Sequence, residues 1–123
     1  MSTIYKILDA AAWETFQAAG SFAGAPVDLA DGYIHFSAGH QVAGTLEKHF
    51  AGRVDLWLVA IHPGLLGDAL KWEVSRGGDL FPHLYAALPL SAVITAAPLV
   101  LGADGRHIAS WPLPGEDRNG ASA

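Results

Sequence analysis

Five polar side chains sit among apolar neighbours in segments that read as strands. His35 and Ser37 lie in Asp31-Gly32-Tyr33-Ile34-His35-Phe36-Ser37, Glu73 lies in Leu70-Lys71-Trp72-Glu73, and His83 and Tyr85 lie in Leu80-Phe81-Pro82-His83-Leu84-Tyr85. Imidazoles, a carboxylate and hydroxyls that converge in a pocket can bind a sugar or a phosphate, or move protons as general acids and bases. The turn Arg76-Gly77-Gly78 between the second and third segments adds a guanidinium and exposed backbone N–H groups, both suited to an anion. The expected site is therefore His35, Glu73 and His83 as the chemical groups, with Ser37, Tyr85, Arg76, Gly77 and Gly78 as ligand contacts.

Each residue has a plainer reading. His35 can be a hydrogen-bonded core histidine. Ser37 can cap the helix that follows it. Glu73, beside Lys71, can be an outward carboxylate, and His83 can cap a turn. Tyr85 can be core, and Asp28 and Asp31 can be turn formers. His35, Glu73 and His83 could also ligate a metal. None is at helical i, i+4 spacing from another, and no metal is expected.

The remaining motifs are absent. The chain has no phosphate-binding Gly-x-x-x-x-Gly-Lys loop, dinucleotide Gly-x-Gly-x-x-Gly, Gly-x-Ser-x-Gly elbow or His-Glu-x-x-His. It has no cysteine, which excludes a disulfide scaffold and a thiol nucleophile. Seven Lys and Arg against twelve Asp and Glu give a net charge of −5, with no basic stripe, so nucleic acid is not an expected partner. No apolar run is long enough to span a membrane, and no signal-peptide pattern opens the chain. The expectation is a cytoplasmic protein that binds a small molecule such as a nucleotide or sugar phosphate. Its oligomeric state is left open.

These residues need elements to position them. Thr3 to Leu8 is β-branched and aromatic and predicts a strand. Asp9 and Gly20 bracket a helix over Ala10–Ala19, with Trp13 and Phe16 as its buried stripe. Residues 20–32 read as a loop. Val42, Leu46 and Phe50 recur at four-residue spacing and predict a second helix over Gly39–Ala51. Val54–Ile61 is apolar on both faces and belongs in the middle of a sheet. Leu70–Ser75, Leu80–Leu88 and Ala92–Leu101 read as further strand segments, with Pro98 marking an edge or a bulge. Arg106–Ser110 predicts a last short strand. Two early helices followed by strands make an α+β protein with a mainly antiparallel sheet. Residues 1–111 are expected to form one domain and 112–123 a disordered tail.

The order Thr3-Ile4-Tyr5-Lys6-Ile7, Ala12-Trp13-Glu14, Asp31 to Ser37, Gln41, Leu70 to Glu73 and Leu80 to Tyr85 resembles the bacterial domain-of-unknown-function family 952. The resemblance spans Ile4 to Leu101. It implies, more distantly, a fold like that of the ADP-ribosyltransferases, in which a split sheet grips NAD in a cleft. Under that resemblance Glu73 would stabilise an oxocarbenium-like sugar. His35 and Ser37 would orient the ribose or phosphate, and His83 would serve as the acid/base or as a phosphate contact. NAD would then be a substrate. A non-catalytic module binding a ligand in the same cleft, and a structural protein with no site, are the alternatives.

Overall fold

A computed structural model describes residues 2–109. The expected domain boundary at residue 111, the tail over 112–123 and Ser110 of the last strand lie outside the described residues. In chain order the elements are β1 (Ile4–Asp9), α1 (Ala10–Ala19), β2 (Ser21–Phe22), α2 (Pro26–Asp31), β3 (Ile34–His35), β4 (Ser37–Ala38) and α3 (Val42–His49). They continue as β5 (Leu56–Ile61), β6 (Leu70–Val74), β7 (Leu80–Leu84), β8 (Leu88–Pro89), β9 (Val93–Leu101) and β10 (His107–Ala109).

The architecture is α+β, and every strand pair is antiparallel. A five-stranded sheet has the order β10-β9-β5-β1-β4. A three-stranded sheet has the order β3-β7-β6, and β2 pairs with β8. β5, apolar on both faces, lies at the centre of the large sheet as its composition demands. Among the described residues β9 pairs with β10 over Leu99–Leu101 and with β5 from Val93 to Leu99, where Pro98 lies opposite Trp57.

α1 forms where its sequence says it should. The Asp9 carboxylate accepts from the Ala12 N–H at 2.7 Å, and Gly20 closes the helix at φ 81°. Trp13 and Phe16 form its buried face. They join Ile4, Leu8, Ile34, Phe36 and Val59 in a core shared by α1 and the two larger sheets. On the other side of the five-stranded sheet, Val42 and Leu46 of α3 pack on Ile7, Leu56 and Leu58.

Two expectations are corrected. Residues 20–32 are not a bare loop, since β2 and α2 lie within them, so three α-helices rather than two precede β5. Pro26 has the fixed φ that suits a first helical residue, the Asp28 carboxylate reaches back to the Ala25 N–H at 2.7 Å, and Gly32 ends the helix at φ 90°. The helix after Ser37 is shorter than expected, a 3₁₀ turn over Gly39–Gln41 leading into α3. Ser37 does not cap it. Gln41 does so by accepting from the Ala38 N–H at 2.9 Å, while the Ser37 hydroxyl meets Thr45 Oγ1 at 3.0 Å.

The stretch from Tyr33 to Ser37 is not one strand. Ile34 and His35 pair with β7 in the small sheet, whereas Ser37 and Ala38 pair with β1 in the large one. Phe36 is the crossing point, and its N–H donates to the Pro82 carbonyl at 3.0 Å. β1 pairs with β4 only at Ile4 and Tyr5, so its Lys6–Asp9 edge is left open on that side. A cleft lies there.

Candidate functional site

β3 and β7 place His35 directly opposite His83. Opposite residues in an antiparallel pair share a face, and the two rings meet edge-on with centroids 5.4 Å apart. Tyr33, two residues before His35, stacks on His83 at 4.1 Å and lies 4.7 Å from His35 and 5.2 Å from Tyr85. β6 pairs with β7 so that Lys71 opposes His83 and Glu73 opposes Phe81, which puts Glu73 on this same face. His35, Glu73, His83 and Tyr85 are thus brought together.

Each histidine is held by carboxylate. Glu73 Oε1 accepts from His83 Nδ1 and from the Tyr85 hydroxyl, both at 2.8 Å. A carboxylate can only accept, so His83 carries its hydrogen on Nδ1. Its Nε2 has no protein partner among the described residues, although His83 is 2% exposed. The bonds from His83 and then Tyr85 hold the Glu73 carboxyl below its ordinary value. The same bond to Glu73 pushes the Tyr85 hydroxyl up to about 12.

His35 bonds to two carboxylates. Its Nδ1 lies 2.7 Å from Asp28 Oδ1, and its Nε2 lies 2.9 Å from Asp31 Oδ2. Asp28 is buried, and four donors converge on it: Lys6 Nζ, the Ala25 N–H, the His35 N–H and His35 Nδ1. Burial by itself would raise the Asp28 carboxyl. The His35 bond, the Lys6 charge and the two backbone donors outweigh it and hold the group at about 2. Burial pulls the Lys6 ammonium below its ordinary value, opposed by Asp28. Lys6 Nζ also donates to the His35 carbonyl at 2.9 Å.

The adjoining cleft has a volume of about 1120 Å³, just above the ~300–1,000 Å³ usual for small-molecule sites. Lys6, His35, Ser37, Thr45, Arg76 and His83 line it. So does Arg53, so three of the chain's seven Lys and Arg residues face one cleft of a net-negative protein. The Arg76 guanidinium lies 4.9 Å over the Phe81 ring, and its Nη1 donates to Thr45 Oγ1 at 3.3 Å. Arg53 lies 5.4 Å over Phe50. Neither arginine forms an ion pair with a carboxylate among the described residues.

Glu73 and Tyr85 stand behind His83 rather than in the cleft lining. Gly77 and Gly78 sit at positive φ in the turn after Arg76, also away from the lining, so their placement is that of turn residues. Four participants were not among the expected site residues: Lys6, Asp28, Tyr33 and Thr45. Lys6 was the most legible of them, as a lone charge on the core-facing side of an apolar strand. Tyr33 shares the period-two alternation of His35. A second hollow of about 960 Å³ lies against Trp13 and Trp57 and touches none of these residues. Among the described residues no group of three or more His, Asp or Glu is placed to hold a metal ion, and no helix is long and apolar enough to cross a membrane.

Residues 7–96 match the family described as "Protein of unknown function (DUF952)". The chain belongs to that family. A similar solved structure is the crystal structure of protein CC0527 from Caulobacter crescentus, 50% identical, with a TM-score of 0.83 over 87% of this chain and 94% of that one. The solution NMR structure of CC0527 is 52% identical, with a TM-score of 0.78 over 86% of this chain and 91% of that one. No curated protein matches the chain. The family and its solved relatives carry no reaction with them, so for this DUF952 protein the function has to be argued from the site.

Proposed function

We propose that the cleft binds an NAD-class dinucleotide and that the protein cleaves it at the nicotinamide glycosidic bond. The observation that carries this reading is His83: buried, held through Nδ1 by Glu73, and lining a cleft shared with Arg53 and Arg76, with Nε2 unpartnered among the described residues. A ring so held accepts a proton at Nε2 and passes none to Glu73, the arrangement of a general base. In the step, the bond between ribose C1′ and the nicotinamide nitrogen breaks. Nicotinamide leaves with the electron pair, and water adds to C1′ while its proton passes to His83 Nε2. The products are ADP-ribose, nicotinamide and a proton. Arg76 and Arg53 suit the pyrophosphate, with the Ser37 and Thr45 hydroxyls beside Arg76.

Glu73 takes a different part from the one the sequence suggested. Its bonded oxygen faces His83 and Tyr85, so it acts through His83 rather than on the sugar. Likeness to the ADP-ribosyltransferase fold belongs to this proposal. Its support is the opening between β1 and β4 and the small sheet set beside the large one. Non-catalytic binding in the same cleft is the second reading. It is favoured by one contact, Asp31 on His35 Nε2, which occupies the outer nitrogen of that ring.

Calorimetric titration with NAD and with ADP-ribose, followed by mass spectrometry of the mixture, tests the proposal. We expect binding of both, release of nicotinamide by the wild type, and loss of release with retained binding in Glu73→Gln. No heat with either nucleotide defeats the proposal. Binding without product in the wild type replaces it with the second reading.

A further inference from the structure

A lysine on the core-facing side of β1 is an expensive choice. Lys6 alternates with Ile4 and Leu8, both in the main core, and is itself 6% exposed. Buried ion pairs are weak stabilisers, and apolar residues of similar volume often serve a core as well or better. Stability alone therefore gives poor reason for Lys6 and Asp28. What the pair achieves is geometric. Lys6 Nζ reaches both Asp28 oxygens, at 3.1 and 3.0 Å, and spans from the large sheet to α2. Two backbone N–H groups fix the same carboxylate at 2.7 and 3.1 Å. The one side chain that receives this rigidity is His35, at 2.7 Å through Nδ1. Asp28 stays 1% exposed, while the His35 ring is 30% exposed and lines the cleft.

We infer that Asp28 is a positioning residue for His35, fixing Nδ1 as the hydrogen-bearing nitrogen and Nε2 as the one presented to a ligand, with Lys6 as its buried counter-charge. The inference rests on reading the cleft as catalytic. His35 shares the inner half of the His83 design, a nitrogen locked by carboxylate, and differs in that its outer nitrogen is bonded to Asp31. Asp31 meets that outer nitrogen in the ligand-free protein from a half-exposed side chain, so it is the carboxylate a ligand can displace.

Nitrogen-15 NMR of the histidine side chains in the full-length protein, near neutral pH, tests this. The wild type is expected to show a His35 Nδ1–H that exchanges slowly with water. In the double variant Lys6→Met/Asp28→Ala, which removes both buried charges, that signal is expected to vanish while the backbone spectrum remains folded. Release of nicotinamide should fall about tenfold, the worth of one well-placed hydrogen bond to a charged ligand group. A wild-type Nδ1 that bears no hydrogen, or exchanges it freely, overturns the inference. So does a folded double variant with unchanged release. If the double variant does not fold, the wild-type measurement decides. A wild type that releases no nicotinamide shows the catalytic reading to be wrong, and the Nδ1–H signal then decides whether Asp28 fixes His35.

Discussion

The two histidines face one another across β3 and β7, yet their carboxylates live in different worlds. Asp28 is buried, held by four donors and paired with an ammonium. Glu73 is partly exposed and held by one ring and one phenol. Nearly equal bond lengths, 2.7 Å in one and 2.8 Å in the other, thus come with opposite consequences for the fold. Removing Asp28 strands a cation in the core. Removing the charge of Glu73 leaves a neighbourhood that water can reach. One pair is built into the framework, and the other can be altered without disturbing it.

Substitutions separate the two. Asp28→Ala should have the largest effect, because it leaves Lys6 buried and unpaired. About 3–5 kcal/mol of stability should be lost, seen as a drop in melting temperature of more than ~10 °C. Adding Lys6→Met should recover much of it. Glu73→Gln should leave the melting temperature close to wild type, and an equal drop in the two variants would dissolve the contrast.

Acid should distinguish them next. The folded Asp28 carboxyl, at about 2, lies below its ordinary 3.8. A depressed carboxyl contributes stability above its unfolded value and loses it as pH falls through the folded one. The stability of the wild type relative to Lys6→Met/Asp28→Ala should therefore be constant near neutral pH and fall between about pH 5 and about pH 2. Denaturation curves at several pH values measure this. A pH-independent difference would mean that the Asp28 charge is not what stabilises.

Ligand contacts should come third. Arg76→Ala removes an unpaired guanidinium from the cleft and should weaken ADP-ribose binding about tenfold, since a hydrogen bond to a charged group is worth about 1.5–3 kcal/mol. The loss should shrink as salt is added, and calorimetry at two ionic strengths reads both. Tyr85→Phe should have the smallest effect. It removes one of the two bonds to Glu73 Oε1 and leaves His83 held, so nicotinamide release should change by less than about threefold, within the net worth of one ordinary hydrogen bond.

Much of this arrangement is legible in the sequence because local rules carried it. Asp9, Trp13, Phe16 and Gly20 state α1 to the residue. The alternation of Lys71 and Glu73 against Trp72 and Val74 gives the faces of β6, and β7 then brings Glu73 to His83. α2 is harder to read because six residues hold no apolar repeat. Its evidence is only punctuation, Pro26, Asp28 and Gly32. Asp28 was hidden for the same reason, since a carboxylate among glycines, alanines and proline reads as a turn former until long-range partners supply its burial. Lys6 lies 22 residues from Asp28 in sequence, and no local pattern announces such a pairing. Ser37 misleads in the opposite way. Its position before a helix is right for a cap, but the crossing at Phe36 turns it toward Thr45 instead.

That crossing bears on how the chain can change over generations. Ile34 and His35 are registered to one sheet, Ser37 and Ala38 to another, and a single residue separates them. Inserting or deleting one residue there would slide one sheet past the other by ~3.3 Å and flip its alternation. His35 would then turn away from His83. Length variation should therefore be barred between Ile34 and Ala38, and tolerated at Gly102–Gly105, where the chain merely reverses between β9 and β10. A deletion scan across both segments would show the first as a closed reading frame and the second as an open one.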